Sequence, residues 1–363
     1  MPDARDFAPV TVTREDLAEH LSRLCPGNRI DLAGAVALPC EQPHRARWRR
    51  WLEAGHHADL DYVTRDPARR EDPTLANPWA RTLLVFGQRY TDGWPAAPDL
   101  MQAQAPWTER VARYARGRDY HDVLLGDIRQ VLRGLEKALP GLAAFPSTDT
   151  GPYLEREYAW LAGLGFLGRN SCLIHEKLGS GLFLGVALTN LAVPDLGPAD
   201  APQAEPLYHL VRRRRREPLR TLASHCGSCT ACLEACPTGA LSLDGGLDAR
   251  ACISTWTIEW RGGTPPDRRR EQGGLLFGCD LCQSVCPWNA RAAERKFPSA
   301  LRDEYRTLPA HAELDLADLA AITDDEFRRR FRRTPLWRAH PDGLRRNAAV
   351  VRENLAAAGE DET

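Results

Sequence analysis

The stretch Cys226-Gly-Ser-Cys229-Thr-Ala-Cys232-Leu-Glu-Ala-Cys236-Pro237 decides how this chain is read. Its spacing, Cys-x2-Cys-x2-Cys-x3-Cys-Pro, is the thiolate run of bacterial ferredoxins, in which the fourth Cys ligates the other of two clusters. A second run, Cys279-Asp-Leu-Cys282-Gln-Ser-Val-Cys286-Pro287, lacks the leading Cys, and Cys252 upstream can supply that thiolate. Together they give eight thiolates, enough for two [4Fe–4S] clusters. The crossed pattern assigns Cys226, Cys229, Cys232 and Cys286 to one cluster, and Cys236, Cys252, Cys279 and Cys282 to the other. Paired CxxC spacings also bind structural zinc, but zinc does not need two segments that each end in x3-Cys-Pro. Two adjacent clusters form an electron conduit, so the acceptor must be sought elsewhere in the chain.

The 363 residues suggest two or three domains, and a hydrophobic content of 43% suffices for a sizeable core. The net charge of -1 excludes a global attraction to nucleic acid or acidic membranes. Any basic surface must be local; Arg212–Arg216, Arg268–Arg270 and Arg328–Arg333 are candidates, against the alternative that each is a solvated face. The N-terminal residues show no apolar export segment and no twin-Arg pattern, and no run of 18 apolar residues occurs. A cytoplasmic protein without a membrane span is expected. Thiolate ligation also fits a reducing cytosol. The remaining Cys25, Cys40 and Cys172 read as small core residues.

The pattern predicts a helix over 13–24 capped by Thr13, a strand over 30–38 ended by Pro39, and a helix over 43–53 with Trp48, Trp51 and Leu52 in the core. A buried strand over 82–86, a long helix over 119–139 weakened by Gly126 and Gly134, a short strand over 143–146 and a helix over 154–164 follow. Residues 172–175 and 182–191 read as a hairpin-like pair of strands. A Pro- and Ala-rich linker spans 193–206, and helical patterning returns around 314–319, 326–333 and 344–355. The expected class is α+β: a catalytic domain over 1–210, a ferredoxin-type module over 211–292 and a helical region over 293–363.

Three segments ahead of the clusters carry chemistry. Tyr114-Ala-Arg-Gly-Arg-Asp-Tyr-His121 places titratable groups at the start of the long helix, where Asp119 also serves as an ordinary cap. Asp149, in Thr148-Asp-Thr-Gly-Pro152, is either an Asx-turn residue or a proton donor whose pKa burial raises towards neutrality. Gly163-Leu-Gly-Phe-Leu-Gly168-Arg-Asn170-Ser171 allows close backbone approach to a flat ligand, or simply packs. It follows a helix rather than a strand, so it is not a dinucleotide fingerprint.

Assembled in order, these residues resemble epoxyqueuosine reductases, cobalamin-dependent enzymes of tRNA modification. Besides the segments above, Arg70 before Asp72-Pro73, Thr238-Gly-Ala240, Cys252-Ile-Ser254, Gly278-Cys-Asp-Leu-Cys-Gln-Ser-Val-Cys-Pro-Trp-Asn289 and Arg345-Arg-Asn-Ala348 carry the resemblance. It implies an N-terminal α/β-sandwich cobalamin-binding domain, the ferredoxin-like module with two [4Fe–4S] clusters, and C-terminal helices. The implied reaction reduces epoxyqueuosine to queuosine at the wobble position of tRNA, with Asp149 as proton donor and Tyr114 and His121 on the substrate face. Arg70, Asp149, Asn170, Ser171, Ser254 and Asp280 are the implied cobalamin contacts. The Asp-x-His-x-x-Gly pattern of some cobalamin proteins, in which His becomes the lower ligand, is absent, since Asp119-Tyr-His121 starts one but position 124 is Leu; base-off cobalamin is therefore implied. The implied partners are the anticodon stem-loops of Asp, Asn, His and Tyr tRNAs and an unidentified electron donor, serving a monomer. A cobalamin-dependent reductive dehalogenase and a plain iron–sulfur electron carrier are the competing readings.

Overall fold

Strand Thr82–Arg89 is buried along its whole length, and the sheet forms around it. The computed structural model describes residues 7–361 apart from 41–42, 44, 95–99, 103–104, 198–204, 212–223 and 312–313. Five strands, β1 (Leu32–Ala37), β2 (Thr82–Arg89), β3 (Ala144–Ser147), β4 (Leu182–Thr189) and β5 (Tyr208–His209), pair antiparallel in the order β3-β4-β2-β1-β5. Successive side chains point to opposite faces. Ala33, Ala35, Leu84 and Phe86 therefore face one core, while Leu32, Val36, Leu83 and Val85 face another.

Helices cover both faces. Helix α1 (Arg14–Gly27) starts at Thr13, whose hydroxyl accepts from Asp16 N. With α3 (Tyr120–Ala138) it covers the first core, contributing Leu17 and Leu21 against Leu124, Ile128 and Val131. Gly134 has a packing reason: a Cβ there would sit 2.4 Å from Leu24 Cδ2. Helix α4 (Glu155–Leu161) closes the opposite face with Tyr158 and Trp160. Helix α2 (Arg45–Glu53) buries no residue, a departure from the expected core role of Trp48, Trp51 and Leu52. The expected hairpin also does not form. Leu173–Ile174 pairs with Phe166–Leu167 inside the glycine-rich segment, and β4 joins the main sheet instead.

The thiol-bearing segment contains α5 (Ile253–Ile258), α6 (Leu281–Ser284) and α7 (Pro287–Ala293). After it come α8 (Leu316–Ala321), α9 (Asp324–Phe331) and α10 (His340–Asp361). These last helices share a core with residues ahead of and between the thiol runs: Leu319, Phe327, Phe331 and Leu344 pack with Trp107, Val111, Leu276 and Phe277. Asn347 in α10 donates to Thr257 O at 2.7 Å and Leu276 O at 2.9 Å, while Arg346 donates to the carbonyls of Trp256, Trp260 and Gly262. Among the described residues no helix is long and apolar enough to cross a membrane.

A side-chain clasp joins the second thiol run to the sheet domain. Asn289 is fully buried; its Oδ1 accepts from Ser180 N at 2.7 Å, and its Nδ2 donates to Ser180 Oγ at 2.9 Å and Gln283 O at 2.7 Å. Gly179 permits the approach, since a Cβ there would lie 2.3 Å from Asn289 Oδ1. Truncating Asn289 would strand these buried groups, at about 1–3 kcal/mol. Asn289→Ala is therefore expected to lower the stability to chemical denaturation by that amount, with no change in secondary structure by circular dichroism.

Candidate active site and thiol centres

The thiols fall into two sets. Cys226, Cys229, Cys232 and Cys286 together line a cavity of about 180 Å³, with Ile174, His225 and Trp288 around them. The Cys232 thiol is pushed up to about 11, by burial first and then by Cys226 and Cys286. In the second set, Cys279 feels Cys252 and Cys236, and Cys282 feels Cys279 and Cys252, on top of the dominant effect of burial. Among the described residues no three His, Cys, Asp or Glu side chains converge to hold a single metal ion.

Of the three remaining cysteines, Cys25 is buried in the first core, and Cys40 is half-buried beside the second. Cys172 lies near the thiol sets: Cys286 and Cys232 act on it and it acts on Cys282, with burial lifting its thiol to about 12.

A larger cavity, about 630 Å³, opens beside the second set. Its wall includes Cys252, Ser254 and Thr255 from the start of α5, and Arg70, Tyr114, Asp149 and Ser171 from the sheet domain. Of the residues expected to meet a cofactor, Arg70, Asp149, Ser171 and Ser254 line this cavity. Asn170 and Asp280 are not among its lining residues. Asn170 lines the first thiol cavity, where its Nδ2 is buried without a hydrogen-bond partner among the described residues. Asp280 is buried and braces the fold, accepting from Arg113 N at 2.7 Å and pairing with the Arg113 guanidinium at 3.4 Å. It thereby ties α6 to the turn that carries Tyr114.

Trp48 and Trp51 line the same cavity. Their spacing on an amphipathic helix fits a core face and a ligand-facing wall equally well, which is why the core reading failed. The Trp51 indole donates to Leu247 O at 2.5 Å, closing the wall against Gly245 and Gly246. Ser171, at φ 60°, donates from its hydroxyl to Gly245 O at 2.6 Å, and Arg156 donates to Ser171 O.

Asp149 also adopts a left-handed conformation, φ 53°, which Asp tolerates in tight turns. Its side chain is 65% exposed at the cavity and is held from α3. Tyr120 Oη donates to Asp149 Oδ2 at 2.7 Å, and His121 Nε2 lies 3.7 Å from the same oxygen. The other ring nitrogen of His121, Nδ1, is 2.7 Å from Asp119 Oδ1. The Tyr120 ring is fixed between His121, at 4.1 Å, and Phe183, at 4.2 Å and nearly coplanar. Tyr114 meets Tyr120 edge-on at 6.2 Å.

This geometry reverses the expected titration of Asp149. Loss of hydration at the cavity wall would raise its pKa, but the His121 ring 3.7 Å away and the hydrogen bond from Tyr120 outweigh it and hold the carboxyl below its ordinary value. Burial likewise opposes charge on His121, yet Asp119 and Asp149 on its two sides lift it to about 9. At neutral pH the pair is a carboxylate beside an imidazolium. The relevant signal, Tyr120-His121 at a helix start, was visible in the sequence, but its meeting with a turn 29 residues away was not.

Of the basic runs, Arg212–Arg216 lies outside the described residues. In Arg268–Arg270, Arg268 pairs with Glu271 and Arg269 with Glu353. In Arg328–Arg333, Arg328 pairs with Asp325, and Arg329 and Arg330 with Glu326. Arg332 and Arg333 are exposed, and Arg333 O accepts from Asp119 N at 2.9 Å, which sets this run beside the His121 end of the site.

Residues 225–289 match a family model described as a 4Fe-4S double cluster binding domain, and residues 70–150 match one described as epoxyqueuosine reductase QueG, DUF1730. An epoxyqueuosine reductase of Gloeobacter violaceus is 37% identical over 92% of this chain and 93% of its own length. One from Pseudomonas aeruginosa is 34% identical over 85% and 77%. Among solved structures, an epoxyqueuosine reductase with a tRNA-Tyr epoxyqueuosine-modified stem loop is 27% identical, with a TM-score of 0.76 over 96% of this chain and 84% of that one. A Bacillus subtilis epoxyqueuosine reductase, 26% identical with a TM-score of 0.72 over 96% and 84%, has its catalytic aspartate loop swung out of the active site.

His121 gains a proton affinity on folding, so the folded state binds that proton more tightly than the unfolded one. The resulting stabilisation is complete below the unfolded value of about 6.5 and is lost as pH rises through about 9. A histidine NMR titration is expected to place the His121 midpoint near 9. In Asp119→Asn the midpoint should fall towards the ordinary imidazole value, with a flatter stability profile above neutrality.

Proposed function

We propose, since this chain belongs to the epoxyqueuosine reductase family, that its reaction is the reduction of epoxyqueuosine to queuosine at the wobble position of tRNA. One observation carries the reading: Cys252 of the second thiol set and Asp149 line the same cavity. A reducing centre and a proton-handling carboxylate there border the space in which the epoxide would react. The proposed cofactors are two [4Fe–4S] clusters, with Cys226, Cys229, Cys232 and Cys286 holding one and Cys236, Cys252, Cys279 and Cys282 the other, together with base-off cobalamin.

The cavity wall suits a broad, flat cofactor with a polar edge. Gly168, Gly245 and Gly246 present backbone instead of side chains, and a Cβ on Gly245 would come within 3.2 Å of Gly168 O. Leu167, Leu182 and Leu184 supply apolar contact, while Arg70, Ser171 and Ser254 would hold the polar rim. Cobalamin bound there supplies a strongly reducing cobalt. Asn170 and Asp280 act one layer out, on the thiol cavity and the Tyr114 turn respectively.

The chain's own residues handle the protons. An alkoxide is a poor leaving group at neutral pH, so the departing oxygen needs an acid. Asp149 is ionised at rest and relays the proton that His121 stores. Tyr120 fixes Oδ2 of Asp149, Tyr114 walls the substrate side, and His121 stands behind Asp149. A single-stranded anticodon loop reaches such a site by splaying out the modified base. Exposed Arg332 and Arg333 lie where loop phosphates would pass. The working unit is a cytoplasmic monomer, and its substrates are the Asp, Asn, His and Tyr tRNAs that carry the modification.

The test is reconstitution with iron, sulfide and cobalamin, followed by nucleoside mass spectrometry of epoxyqueuosine-bearing tRNA. Queuosine should accumulate, and Asp149→Asn should slow it by about 10²–10⁴-fold while retaining cobalamin. An Asp149→Asn protein that turns over normally would remove Asp149 from the chemistry. Cys252→Ala should lower bound iron from about eight to about four atoms per chain, read by iron analysis. Unchanged iron would exclude Cys252 as a ligand.

A further inference from the structure

The proposed reaction consumes two protons, and the Asp149–His121 pair stores one. A second titratable group lines the same cavity: Glu155, in the first turn of α4. Its Oε1 is buried and, among the described residues, has no hydrogen-bond partner. A carboxylate oxygen in that position loses hydration without compensation, which favours the neutral acid. We propose that Glu155 is the second acid of this site, its carboxyl O–H supplying one of the two protons that turn the epoxide oxygen into water. The inference rests on the function proposed above.

The charges around Glu155 divide clearly. Burial, and then the negative charge of Asp149 from the preceding turn, push its pKa up to about 8; Arg70 and its neighbour Arg156 pull the other way and do not prevail. Glu157 and Tyr153 also line the cavity from this side, and His121 and Tyr120 stand behind Asp149. Two of the three carboxyl groups that line the cavity are thus pushed apart, Asp149 downward and Glu155 upward, the arrangement that separates acid and base roles.

The balance closes. Both carbon–oxygen bonds of the epoxide break, the two carbons take up two electrons from the external reductant and become doubly bonded, and the oxygen leaves as water. One proton comes through Asp149 from His121 and one from Glu155, whose carboxylate then regains a proton from solvent.

The experiment uses the full reconstituted chain with dithionite as reductant and a saturating epoxyqueuosine-bearing anticodon stem-loop, across a pH series. The wild-type rate should fall above about pH 8. In Glu155→Gln the rate should drop about 10²-fold, the affinity for the stem-loop should stay within about twofold, and the remaining rate should decline only above about pH 9, where His121 titrates. Glu155→Asp, which keeps an acidic O–H, should recover part of the rate. Difference infrared spectroscopy gives a readout independent of turnover: a protonated-carboxyl band that disappears near pH 8 in the wild type should be missing from Glu155→Gln. A Glu155→Gln enzyme with the wild-type rate and alkaline limb, or one that retains the band, overturns the proposal. Wild-type protein that makes no queuosine overturns the functional reading itself, while the infrared comparison still decides whether Glu155 carries the proton.

Discussion

The structure depends on holding thiol-bearing loops, which have little regular structure of their own, against a rigid sheet. Asn289 does this from just beyond the second run, its buried amide meeting Ser180 and Gln283. Asn347 and Arg346 do it from outside, gripping backbone carbonyls around α5 with the last long helix. Buried polar groups of this kind add little net stability, but they are expensive to leave unmet. They therefore fix position more than they add strength. Fixed position is what a site assembled from distant parts of the chain needs, since Cys252 and Asp149 come from different halves of the molecule and share a wall.

The site itself is a matter of electrostatic arrangement. One helix start delivers three groups: Asp119 caps it, Tyr120 is stacked into place, and His121 is flanked by two carboxylates. The turn carrying Asp149 accepts a left-handed residue in order to reach them. Asp149 joins Asp119 in keeping His121 protonated and, after burial, discourages ionisation of Glu155. The protonation of each group thus depends on its neighbours, and the site is a group of coupled titrations instead of one acid.

Legibility in the sequence followed distance along the chain. The iron–sulfur module was legible because thiol spacing is local to each run. The main strands and helices were readable from periodicity, and even Gly134, which weakens its helix, proved to be the contact point for Leu24. What failed involved the choice between two uses of one pattern. Trp48 and Trp51 sit on an apolar face that borders a cavity instead of a core, and Leu173–Ile174 found its partner in the glycine segment. The direction of the Asp149 titration depends on a contact with α3 that no local pattern encodes, and Glu155 looked like any acid in a first helical turn.

One consequence follows from Cys252 forming part of the cavity wall. Whatever occupies that space also stands between the sulfur and the solvent. With the proposed cluster and cobalamin both in place, the cobalamin would shield the iron beside Cys252 from dissolved oxygen. Resistance to air would then depend on cofactor loading as much as on the cysteine loops.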